Sequence, residues 1–422
     1  VDTSLRIKSQ REKAGQKMGR STVRVYQERW FPFGNLPAAL KEFETKTGIA
    51  TELVWDFVGV GTLEHMFDQM TESFHSPDPA FDLICNDEVI LQQMGDLNLV
   101  EDLAPRMRAH NLNLDDVTQA TRQAATQGEK VLGLPCVNVS GSLLYRRDLF
   151  EKYGLQIPQT WEELKSVATE LQSAVRADGQ SDFYGFETRG AAGGGHSVWT
   201  IGSFLGSFGA RWIDADGKAC SPDERHFAAL NTYLDILNTV SPPEQGMMSF
   251  PEIRQDFAAG RAGIIMDVGM EYAHVLGTNP ELAERSGVAL VPAGPAGRAP
   301  NLYSPLWSIP STSHLKDEAF ELAMFLTSKA QLLEDGLKSN ALETSSLEVL
   351  GSAQFDKHFR SDVLEVVRIN ATIAQEERPI SRAGLKACEI VGNTVNAAVE
   401  KRVSTSEALN GIYEELTQLL KK

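Results

Sequence analysis

Three groups of residues could do chemistry in this chain. Gln27, Glu28 and Trp30 follow the apolar stretch Val23–Tyr26 and set an amide, a carboxylate and a flat indole side by side. Asn138 and Ser140 interrupt the apolar run Val137–Tyr145, where a buried polar side chain must find a partner. Gly190–Gly195 precedes His196, so the backbone N–H groups of Gly194 and Gly195 are free of side-chain bulk. None of these patterns carries a bond-breaking signature. The glycine run lacks the Gly-Lys-Ser/Thr of a phosphate loop, and His65 has no second histidine at metalloprotease spacing. The cysteines at 85, 136, 220 and 388 show neither CxxC nor metal-ligand spacing; Cys85 and Cys136 sit in apolar runs that suit buried thiols. No metal and no cofactor is expected. The chemistry left is recognition by hydrogen bonds and aromatic faces.

Those residues need elements to hold them. Val23–Tyr26, Ala50–Trp55 and Phe81–Cys85 are rich in β-branched and apolar residues and read as strands. Leu36–Lys46 and Thr62–Phe74 read as helices between them, an alternation that gives parallel sheets flanked by helices. Ser73–Pro79, Pro242-Pro243 and Pro292–Pro300 are breaks. Gly128–Leu164 is the densest block. Gly133-Leu134-Pro135 is a stiff extended turn, Val137–Tyr145 a strand, and Leu149–Tyr153 a short helix closed by Gly154. Thr160 then caps a further helix, with Glu163 placed for a capping box.

A chain of 422 residues exceeds what one core usually holds, so two or more lobes are expected. A net charge of −17 argues against nucleic acid and against anionic lipid. No apolar run reaches the roughly 18 residues of a membrane span. Residues 1–20 are basic, with Arg6, Lys8, Arg11, Lys13, Lys17 and Arg20, and read as a leader or cloning remnant ahead of a mature domain.

The dense block also carries a family resemblance. Gly133-Leu134-Pro135, Leu144-Tyr145-Arg146-Arg147-Asp148-Leu149-Phe150 and Pro158-Gln159-Thr160-Trp161-Glu162-Glu163-Leu164 resemble the hinge strand and following helices of ABC-importer extracellular solute-binding proteins, in the group that takes maltodextrins, sugars and polyols. Phe43–Ile49, Phe81–Asp87, Tyr184-Gly185-Phe186, Phe257–Ile264, Ala319–Leu326 and Ser406–Leu409 match further segments in order. Arg146 stands where the family usually has asparagine.

The resemblance implies an α/β, two-lobe periplasmic-binding-protein fold, each lobe a helix-flanked, mostly parallel sheet, joined by a multi-segment hinge. Lobe one would be residues 21–135 plus 303–342, and lobe two 136–302 plus 343–422. It implies a monomeric, non-enzymatic subunit outside the cytoplasm that captures a carbohydrate between its lobes and delivers it to membrane permease subunits. A carbohydrate-active enzyme using a carboxylate pair and a sensory binding protein are the alternatives.

Sugars need polar groups for hydroxyls and aromatic rings for their C–H faces. With Asp87, Asp267, Gly269, Tyr303 and Trp307 at positions where the resemblance implies cleft contacts, the ligand-binding set is Gln27, Glu28, Trp30, Asp87, Asn138, Ser140, Gly194, Gly195, His196, Asp267, Gly269, Tyr303, Trp307 and Arg382. Asp87 competes with a helix N-cap role, one of Tyr303 and Trp307 with a packing role, and Arg378 is expected at the surface.

Overall fold

The computed structural model describes residues 22–28, 33–56, 67–68, 70–71, 76 and 79–421, without the side chains of 28, 55, 56, 268 and 270. Residues 1–20 and most of the expected helix Thr62–Phe74 lie outside them. Among the described residues no helix is long and apolar enough to cross a membrane.

Two five-stranded sheets organise the chain. The first takes β1 (Thr22–Glu28), β2 (Ala50–Asp56), β3 (Leu83–Asn86), β6 (Leu134–Pro135) and β12 (Leu306–Ser308), in the order β2-β1-β3-β12-β6. A small hairpin, β4 (Thr126–Gln127) and β5 (Lys130–Val131), precedes β6. The second sheet takes β7 (Val139–Arg146), β8 (Tyr184–Thr188), β9 (Ala262–Val268), β10 (Ser286–Leu290) and β11 (Leu302–Tyr303).

Both sheets are mixed. β1 runs parallel to β2 and β3, and β8 to β9, as helix crossovers between them require. β12 is antiparallel to β3 and β6 because it is entered from the other sheet instead of through a crossover helix. β7 likewise runs antiparallel to β9, β10 and β11.

Local chemistry fixes the elements around the hinge. β7 is buried along its length except at Arg146. Gly154 closes helix Arg147–Tyr153 at φ 68°, a left-handed position that favours glycine. Thr160 caps helix Trp161–Ala177 by accepting from the Glu163 N–H, while the Glu163 carboxylate accepts from the Gln159 N–H at 2.7 Å. Inside the second lobe, Trp161 stacks on Phe204 at 3.7 Å between ring centroids.

The chain passes between sheets at 135–139 and again at 303–306. Tyr303 pairs with Val139 in the second sheet, so it stands on the far side of the boundary drawn from the sequence. The third passage also comes later than residue 343. Phe355 of helix Ala353–His358 packs so closely on Gly336 that a Cβ there would come within 2.5 Å of its ring. Asp116 accepts from the N–H groups of Leu347 and Glu348. Arg360, which donates to the carbonyls of Ala283 and Ser286 at 3.1 and 2.9 Å, ties the following helix to the second lobe. The amphipathic segment 347–359 hides this, because its apolar residues can pack on either lobe.

Candidate functional site

Where the two sheets meet, three residues singled out by the sequence converge on one that was not. The Ser140 N–H and hydroxyl both donate to Glu343 Oε1, at 3.0 and 3.2 Å. The Asn138 N–H donates to the Glu343 carbonyl at 2.9 Å, and the Gly269 N–H to the Ser140 carbonyl at 2.8 Å. A Cβ on Gly269 would lie 2.7–2.8 Å from the Glu343 carboxylate, so glycine makes the approach possible. Asn138 is buried, and its Oδ1 has no hydrogen-bond partner among the described residues. Glu343 itself is 1% exposed. Its signal was weak, since Ala341-Leu342-Glu343-Thr344 reads as an unremarkable turn.

The end of β9 forms a second cluster. Asp267 is gripped by Arg189, whose Nε and Nη2 donate to the carboxylate at 2.5–3.1 Å and whose Nη1 donates to the Gly195 carbonyl at 3.0 Å. Arg254 holds Glu271 with two bonds of 2.6 and 2.7 Å. Both guanidinium groups lie over the Phe250 ring, at 5.1 and 5.6 Å, a cation–π arrangement. Asp267 thus anchors the glycine loop through an arginine that the sequence did not single out. Within that loop, among the described residues, Gly193 and not Gly194 or Gly195 has its N–H engaged, by Asn393 Oδ1 at 3.0 Å. His196 Nδ1 meets the Ser249 hydroxyl at 2.5 Å. Burial and the neighbouring Arg189 depress this imidazole to a pKa of about 4, so it is neutral at ordinary pH.

Asp87 begins helix Glu88–Asp96 as its N-cap, accepting from the Val89 N–H at 2.7 Å. Its other oxygen accepts from Arg378 at 2.9 Å. Arg378 is buried, contrary to the expectation of exposure, because three carboxylates surround it: Asp87, Glu88 and Glu376. Arg382 is the exposed one, and it reaches the Leu420 carbonyl at 3.3 Å instead of the interlobe groups. Its loop turns the side chain toward the C-terminal helix.

Trp307 is 1% exposed and packs edge-on against Phe33 at 6.0 Å, a core position. Tyr303 is half-buried, with the Arg378 guanidinium 6.0 Å over its ring. Gln27 is buried on β1 opposite Trp55. The Glu28 side chain and all of Trp30 lie outside the described residues. Cys85 and Cys136 are buried thiols with sulfurs 3.7 Å apart.

A family model described as "Bacterial extracellular solute-binding protein" matches residues 33–332. A mannitol-binding protein of Pseudomonas aeruginosa is 27% identical over 330 residues, 73% of this chain and 74% of its own. Among solved structures, a maltose-bound protein of T. maritima superposes with a TM-score of 0.82 at 23% identity, covering 94% of this chain and 99% of its own. A solute-binding protein of Agrobacterium radiobacter in complex with ribitol gives 0.82 at 22% identity, covering 96% and 100%. These two likenesses concern the fold.

Proposed function

The chain belongs to the bacterial extracellular solute-binding proteins, and from that membership we propose that it is the substrate-binding subunit of an ABC importer for a neutral sugar or sugar alcohol. In this reading the two lobes close on the ligand outside the cytoplasmic membrane, and the closed form docks on the permease. Ligand favours closure only as far as it binds the closed form better than the open one.

The observation that carries the reading is the gathering of Asn138, Ser140 and Gly269 on Glu343 at the junction of the two sheets. The Asn138 amide oxygen is buried and unpartnered there, and a ligand hydroxyl is the donor it lacks; leaving such a group unsatisfied costs about 1–3 kcal/mol. Tyr303 and the loop at Gly194–His196 complete the proposed wall. The mannitol-binding relative supports a polyol within the substrate class.

A thermal-shift screen tests this. D-mannitol, ribitol or maltose should raise the melting temperature, since a ligand at about 100 times its Kd adds roughly 2.7 kcal/mol to the native state. Asn138→Ala should weaken binding of the responding compound by about tenfold. If amino acids or sugar acids shift the melt and no neutral sugar or polyol does, the substrate class is wrong.

A further inference from the structure

The four-membered ion cluster around Arg378 joins the two lobes. Arg378 lies in the segment 374–383, which is tied to the second sheet: the Leu302 N–H donates to the Gln375 carbonyl at 2.8 Å and the Glu377 N–H to Asn301 Oδ1 at 2.9 Å. Asp87 and Glu88 begin the helix that follows β3 of the first sheet. Arg378 Nη1 donates to Asp87 at 2.9 Å and Nη2 to Glu88 at 2.6 Å, while Nε and Nη2 also bind Glu376 of its own segment. Glu88 spends its second oxygen on the Ser304 N–H at 3.0 Å, within the second passage between the sheets. Every link touches the hinge.

The contact extends along the same helix face. A Cβ on Gly384 would come within 2.9 Å of Val89 Cγ1, and the Leu385 N–H donates to Gln93 Oε1 at 3.3 Å. Beyond Arg378 the lobes part around a cavity of about 760 Å³, bordered by Gln92, Thr118 and Gln123 on one side and Trp212, Glu377 and Arg378 on the other. The side chains of Arg378, Asp87 and Glu88 are at most 2% exposed. A hinge rotation that separated them would strand buried charges, which is strongly unfavourable. Rotation about an axis through the cluster leaves them paired.

We propose that Arg378 is the positioning residue of the interlobe pivot, pinning the hinge axis to the start of helix Glu88–Asp96 through Asp87, Glu88 and the Ser304 backbone. The proposal deepens the reading of the chain as a closing binding protein and rests on it. Arg378 acts on ligand through the lobe geometry and not by contact. Burial holds the Glu88 carboxyl well above the usual carboxylate range, with Arg378 opposing and Asp87 and Glu376 reinforcing the rise.

The test compares the full chain with R378K and with R378M/E88Q/E376Q, which leaves Asp87 as the helix cap. Spin labels at Lys41→Cys and Glu170→Cys, both exposed positions on opposite lobes, report the interlobe distance after the half-buried Cys220 is changed to serine. The ligand-free triple variant should fold yet show a broader distance distribution. Its D-mannitol affinity should fall roughly tenfold, the scale expected for residues that couple without touching ligand. R378K should show a smaller change of the same sign, because one ammonium cannot reproduce a guanidinium fork on three carboxylates. An unchanged distribution and affinity in a folded triple variant would overturn the proposal, as would an unchanged R378K if the triple variant does not fold. The distance measurement needs no ligand, so failure of the wild type to bind D-mannitol would count against the substrate class alone.

Discussion

At the scale of single residues, the buried carboxyls differ in whether a guanidinium holds them. Asp267, Glu271 and Glu88 each face a guanidinium. Glu187 on β8 is 0% exposed, and neither oxygen has a hydrogen-bond partner among the described residues. Burial first, then Asp256 and Glu244 against the opposing Arg261, push its pKa up to about 9 from an ordinary 4.5. Between those values the folded chain keeps a proton that the unfolded chain has lost, so stability falls as pH rises through that window. At pH 7 the cost is of order 3 kcal/mol. Glu187→Gln should therefore melt close to wild type at pH 4.5 and above it at pH 8, the gap widening between. Parallel melting curves at all pH values would show that Glu187 ionises normally.

At the scale of elements, the strands and helices were largely legible and their meeting points were not. Thr160, Gly154 and the β-branched run before Tyr145 act locally, so their neighbours in sequence suffice to read them. Asn138 and Ser140 stood out as polar residues in an apolar strand, and they do meet at the junction. Glu343 and Arg189 were missed because what distinguishes them comes from residues 203 and 78 positions away. Arg378 and Arg382 exchanged their expected exposure for the same reason: three carboxylates distant in sequence bury the first. The end of β9 and the segment at Glu343 meet where Gly269 leaves no room for a side chain. Gly269 has φ −59°, so alanine brings no backbone strain, and the added methyl must displace the Glu343 carboxylate from Ser140. Gly269→Ala should cost about 1–3 kcal/mol of stability and weaken ligand by more than Gly263→Ala on β9. A crystal structure of the variant with Glu343 still on Ser140 would refute that account.

At the scale of the whole molecule, charge bears on what the interlobe groups can accept. The chain carries a net −17, and near the junction the cations are already committed. Arg189 is spent on Asp267 and the Gly195 carbonyl, Arg254 on Glu271, and Arg378 on Asp87, Glu88 and Glu376. An anionic ligand that drew on one of these guanidinium groups would take it from a buried carboxylate, stranding that carboxylate in turn. A neutral polyhydroxylated ligand needs no such exchange, because amide, hydroxyl and carboxylate acceptors can bind its hydroxyl groups directly. The two cases differ in their response to salt. Added electrolyte screens charge–charge attraction, with a Debye length falling from about 10 Å at 0.1 M to about 3 Å at 1 M. The Kd of the responding sugar or polyol should therefore stay within about twofold across that range. A Kd that climbs steadily with ionic strength would mean that the lobes close on a charged solute, and that at least one of these arginines is released when they do.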